Sequence, residues 1–146
     1  MLKFKTKTPE ETELLGEKIG KAIKDQRVFA FFGGLGMGKT TFISGIARGM
    51  NIKCHVSSPT FAIVNVYGEN SELCHFDMYR VNTWDDLYSS GFFDYIDMGS
   101  VLCIEWSENI ENALPPDTIS IKIKKGEFDN ERIIEIDGAQ NEDFFC

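Results

Sequence analysis

Two groups of residues in this chain have the types and spacing for chemistry on a phosphate. Lys39 and Thr40 follow Gly33 and Gly38 in the pattern G-x-x-x-x-G-K-[ST], and two carboxylates, Asp77 and Glu105, each close an apolar run. In the first pattern, glycines let successive backbone N–H groups turn towards an anionic phosphate, and the lysine and hydroxyl add a charge and a metal-directed oxygen. The binding loop expected for a nucleoside triphosphate therefore comprises Gly33, Gly34, Leu35, Gly36, Met37, Gly38, Lys39, Thr40 and Thr41. A triphosphate arrives with Mg²⁺, which takes oxygen ligands and keeps several waters. Asp77 and Glu105 are the acids available to hold those waters or to activate an attacking one, and the residues leave open which does which.

These side chains need elements to place them. Residues 28–32, VFAFF, are apolar without alternation, as expected of a strand buried on both faces at the centre of a parallel sheet. A helix should begin near Lys39, with Phe42, Ile43, Ile46, Ala47 and Met50 on its inner face and an end near residues 49–51. Residues 101–104 form a second continuous apolar run and a second central strand. Residues 61–67 and 72–76 read as a β-hairpin, and so do the alternating segments around Ile119–Ile123 and Ile134–Ile136. Residues 2–7 suit an edge strand with its lysines in water.

Thr8-Pro9-Glu10-Glu11 is a capping box that starts a helix to about Lys24, with Leu15, Ile19, Ala22 and Ile23 turned towards the sheet. Thr83 caps a further helix ending near Gly91, with another turn around residues 93–96. The result is an α/β chain: a single P-loop NTPase-like domain over residues 1–146, its central, mostly parallel sheet extended by antiparallel hairpins and flanked by helices. Residues 138–146 read as a flexible tail. In such open sheets ligands sit at the carboxyl ends of the strands, where the loop, Asp77 and Glu105 can converge.

Composition narrows the partners. Of 146 residues, 42% are hydrophobic and 26% charged, with 15 basic against 23 acidic side chains and a net charge of −8. That balance opposes a broad grip on a nucleic-acid backbone, which depends on clustered Lys and Arg. The cysteines at 54, 74, 103 and 146 form no C-x-x-C pair, so reduced thiols and a cytoplasmic location are expected. The repeated Cys-His dipeptides at 54–55 and 74–75 raise a zinc site, but neighbours on a strand point to opposite faces. The N-terminus lacks the apolar core of a signal peptide, and no apolar run reaches membrane-spanning length.

Other residues qualify the chemistry. Thr60, after a Ser-Pro turn, can close on the metal and the γ-phosphate as a switch element. Arg80, three residues after Asp77, can offset charge on a phosphoryl group, and Trp106 beside Glu105 can pack near the nucleotide. An N-K-x-D element for guanine is missing; Asn82-Thr83-Trp84-Asp85 lacks the lysine, so ATP is favoured over GTP. The four arginines do not cluster into the lid of a small-molecule kinase, which leaves that activity as a minor alternative.

Four motifs in register carry a resemblance. GGLGMGKTT at 33–41, SPTF at 58–61, HFDMYR at 75–80 and IEW at 104–106 resemble the TsaE family, also called YjeE. The resemblance spans residues 8–114 and implies a small bacterial ATPase needed for threonylcarbamoyl modification of the adenosine beside the anticodon, in tRNAs reading codons that begin with A. It implies ATP on Gly36, Gly38, Lys39, Thr40 and Thr41, Thr60 and Asp77 around Mg²⁺, and Glu105 and Trp106 in hydrolysis or its coupling to partners. Those partners would be TsaD, which transfers the group, and TsaB; tRNA would be met only through the complex. A nucleotide-gated binding module with incidental hydrolysis is the alternative. Gly34 and Met37 stand where the family often has Asp and Ala. Backbone amides carry the loop's binding, so Gly34 should cost little, whereas Met37 puts a larger side chain at the loop tip.

Overall fold

The apolar runs do form the centre of a sheet. The computed structural model describes residues 1–34, 37–53, 55–59 and 63–138. Seven strands are present among them: β1 (Leu2–Thr6), β2 (Val28–Phe32), β3 (Val64–Tyr67), β4 (Leu73–Asp77), β5 (Val101–Glu105), β6 (Ile119–Lys125) and β7 (Arg132–Asp137). They lie in one sheet in the order β1-β7-β6-β2-β5-β4-β3. The inner strands β6, β2, β5 and β4 pair in parallel, and β7, β1 and β3 are added antiparallel at the flanks. Burial follows sequence: β2, β4 and β5 are buried at nearly every position, whereas β6 alternates, with Ile119, Ile121 and Ile123 inward.

Helices cover both faces. On one, α1 (Pro9–Ala22) and α2 (Lys39–Gly49) bury Leu15, Ile19, Phe42, Ile43 and Ile46 against Phe29, Phe31, Leu73, Cys103 and the β6–β7 isoleucines. On the other, α3 (Trp84–Ser89), α4 (Phe92–Asp97) and a 3-10 helix over Ser107–Ala113 pack Leu87, Phe92 and Ile110 on Cys74, Phe76, Leu102 and Ile104. Half of the capping box at α1 forms: Thr8 Oγ1 accepts from the Glu11 N–H, whereas the Glu11 carboxylate accepts from the Lys7 N–H, one residue before the cap. Thr83 caps α3 through the Asp86 N–H.

Three features differ from the pattern read in the sequence. α1 ends at Ala22, because Ile23 turns to extended backbone and redirects the chain into β2. Its inner face meets α2 as well as the sheet. Gly16 and Gly20 lie against the backbone of Phe42–Gly49, and Gly45 and Gly49 against that of Glu13–Lys21, so closely that a Cβ at any of the four would overlap a carbonyl oxygen. Arg48 ties the seam from outside through Glu13 and Glu17. The 3-10 helix is new: SENIENA carries only one buried apolar residue, Ile110, and so has no helical periodicity to read.

Candidate functional site

β2 ends at Phe32, and the chain turns at Gly33, where φ is +139° and a side chain would meet the Ile123 carbonyl. At the other end of the loop Gly38 takes the left-handed conformation, φ +94°, as the N-cap of α2. A glycine cap supplies no side-chain acceptor, and among the described residues no side chain caps the first N–H groups of α2. That is the amide-rich, positive end of a helix, suited to an anion.

Lys39 sits inside this turn at 5% exposure. Its ammonium donates to the carbonyls of Gly33 at 2.8 Å and Gly34 at 3.3 Å and lies 5.3 Å from the centre of the Trp106 ring. No carboxylate pairs with it among the described residues. A buried cation held only by neutral carbonyls and a π face is poorly compensated. An anion in the loop would complete it.

Trp106 itself has left-handed backbone, φ +57°, which a non-glycine residue adopts at a cost. Tyr79 packs on it with ring centres 4.9 Å apart, and the Asn109 side-chain amide ties the Met78 and Tyr79 carbonyls to the 3-10 helix. The turn after β4 and the segment after β5 are thereby locked together beside Lys39.

Asp77 and Glu105 end adjacent parallel strands and are register partners. Both belong to the face of the sheet that carries α1 and α2, since Leu73 and Cys103 of the same alternation lie in that core. Glu105 is buried. Its Oε2 lies 2.5 Å from His75 Nε2 and accepts from Ser58 Oγ at 3.3 Å. Asp77 is half-buried, and among the described residues its Oδ1 accepts only the Tyr79 N–H. Beneath them, burial pushes the Cys103 thiol far up, with Cys74 and Glu105 adding to the effect, and burial raises the Cys74 thiol to about 11. Neither thiol is a nucleophile at neutral pH.

The remaining expected residues fall as follows. Thr40 opens α2 beside Lys39. Thr41 lines a small cleft with Pro9, Thr12, Gly38, Asn130 and Arg132 on the α1 side of the loop. Gly34 has open space where a side chain would stand. Met37 is half-buried against the α1–α2 core, and its carbonyl accepts from Arg132 Nε, so its side chain is partly drawn into the body of the protein. Arg80 is exposed in the turn after β4 and joins the other site residues through no hydrogen bond or ion pair among those described. Leu35, Gly36 and Thr60 lie outside the described residues. The residue not foreseen is His75, whose signal was its place two residues before Asp77 on the same strand face.

The described residues contain no group of three or more His, Cys, Asp or Glu able to hold a metal by themselves.

A family model, Threonylcarbamoyl adenosine biosynthesis protein TsaE, matches residues 6–134. The chain belongs to the TsaE family. It is 36% identical to the tRNA threonylcarbamoyladenosine biosynthesis protein TsaE of Bacillus subtilis, over 96% of this chain and 87% of that protein. The TsaE protein of Treponema pallidum is 30% identical over 82% of this chain and 88% of its own length. The crystal structure of Bacillus subtilis YdiB superposes with a TM-score of 0.68 at 34% identity, covering 91% of this chain and 82% of that one. The TsaE match includes the loop, His75, Asp77, Glu105 and Trp106 together.

Proposed function

We propose that this chain is an ATPase that binds Mg-ATP at the loop and uses its hydrolysis to support threonylcarbamoyl modification of the adenosine beside the anticodon, together with TsaD and TsaB. The observation that carries the reading is the buried Lys39 ammonium, held by two neutral carbonyls at the open N-terminus of α2. Phosphate oxygens are better acceptors for a cation than carbonyls are. The triphosphate would therefore draw Lys39 from Gly33 and Gly34 and take up the free amides of α2.

Bound Mg²⁺ would neutralise charge on the phosphates. Thr40 would give it a direct oxygen. Asp77, a half-open carboxylate, suits the metal's waters, and Thr60 is the further oxygen ligand this reading assigns to the metal. Glu105 is held in one orientation and suits the attacking water. Trp106, over Lys39, would shield the loop, and Arg80 would have to swing in from its exposed turn to reach the phosphates. The net charge of −8 favours contact with protein partners over direct contact with tRNA.

ATP turnover measured alone and with TsaD, TsaB and tRNA tests the reading, with threonylcarbamoyl transfer followed in the same reaction. Slow turnover alone, raised by the partners, is expected, and Glu105→Ala should bind ATP yet fail to sustain modification. If Glu105→Ala supports full modification, ATP only gates assembly and the binding-module reading takes its place.

A further inference from the structure

His75 is a buried side chain beside the site whose chemistry the reading above does not use. It lies in the middle of β4, wholly buried, on the same face as Asp77 and Glu105. In register it pairs with Cys103, so its ring reaches diagonally along the parallel pair to Glu105 on the next strand. The two ring nitrogens differ. Nε2 meets Glu105 Oε2 at 2.5 Å, and Nδ1 has no partner among the described residues.

We infer that His75 is a positioning residue: through its Nε2–H it grips one carboxylate oxygen of Glu105 and so aims the other, Oε1, at the water that attacks the γ-phosphate. This rests on the ATPase reading for the reaction itself, though not for the grip. Among the described residues a hydrogen on Nδ1 would have no acceptor, whereas a hydrogen on Nε2 points at a carboxylate; these surroundings select the Nε2–H tautomer. Among the described residues both hydrogen bonds to Glu105 fall on Oε2, one from His75 and one from Ser58. Oε1 is left for water. A carboxylate on a flexible stem loses its direction without such a partner, and fixing the acceptor in advance is what lets a base act without reorganising at the moment of reaction.

Two substitutions and one spectrum test this. His75→Leu keeps the apolar volume and removes the donor. His75→Gln places an amide N–H near the position of imidazole Nε2. Both should bind Mg-ATP as the wild type does by calorimetry, and turnover should fall about 10- to 100-fold in His75→Leu but recover to within a few-fold in His75→Gln. In the Glu105→Ala background, His75→Leu should add almost nothing, because there is no longer a carboxylate to aim. Nitrogen-15 imidazole spectra of the wild type should show His75 protonated on Nε2 and bare on Nδ1.

Turnover in His75→Leu equal to wild type would overturn the inference, as would equal slowing in the Leu and Gln variants or a spectrum with the hydrogen on Nδ1. If His75→Leu does not fold, the Gln variant and the wild-type spectrum decide the matter. Failure of the wild type to hydrolyse ATP, alone or with partners, would instead remove the ATPase reading; the spectrum then still tells whether His75 grips Glu105.

Discussion

The ends of β4 and β5 are neighbours in register, and they hold their carboxylates in opposite ways. At the end of β5, Glu105 is buried, with His75 and Ser58 on one oxygen. At the end of β4, Asp77 is half-open, and among the described residues its carboxylate makes one bond, to the backbone N–H two residues on. Equivalent places in the topology thus give a fixed acid and a free one. The cause is depth: His75 lies two residues back on β4, below Asp77, and its ring leans to the adjacent strand. A fixed carboxylate suits directing a water. A free one can follow a metal whose position depends on the bound phosphates.

That contrast should show most strongly in turnover. Glu105→Gln keeps an acceptor for His75 but loses the charge, and it should lower ATP turnover by about 100-fold or more with little change in ATP affinity. Asp77→Asn should act through the metal, raising the Mg²⁺ concentration needed for half-maximal turnover about 10-fold, with rate recovering at high Mg²⁺. Matching Mg²⁺ dependence in the two variants would erase the distinction between them.

Stability offers a smaller and independent view. Glu105→Ala leaves the buried His75 N–H without an acceptor, at a cost of about 1–3 kcal/mol. For a chain of this size that lowers the melting temperature by roughly 3–10 °C. Asp77→Ala removes one local bond at a half-exposed position and should stay within about 0.5 kcal/mol of wild type. Equal melting temperatures in the two alanine variants would mean that the His75–Glu105 contact does not hold in solution.

Much of this architecture was legible in the residues. Continuous apolar runs marked β2 and β5, alternation marked β6 and β7, and Thr8 and Thr83 marked two helix starts, because each signal is local. What escaped depends on meetings between distant segments. Gly16, Gly20, Gly45 and Gly49 carry no local signal for their role; only the packed pair shows that they let the backbones touch. His75 read as half of a Cys-His dipeptide, since its pairing with Glu105, thirty residues on, exists only once β4 and β5 are in register. Its motif makes Lys39 the residue expected to meet a phosphate. Its burial without an anionic partner was not legible.

Titration calorimetry of Mg-ATP into the wild type and into Lys39→Ala tests the centre of this account. One saturable site in the wild type, with affinity lost by about 100-fold or more in the variant, is the expected outcome for a phosphate-bound cation removed from a buried loop. Equal affinity in the two proteins would contradict it, because the ammonium held by Gly33 and Gly34 would then have no part in holding the nucleotide.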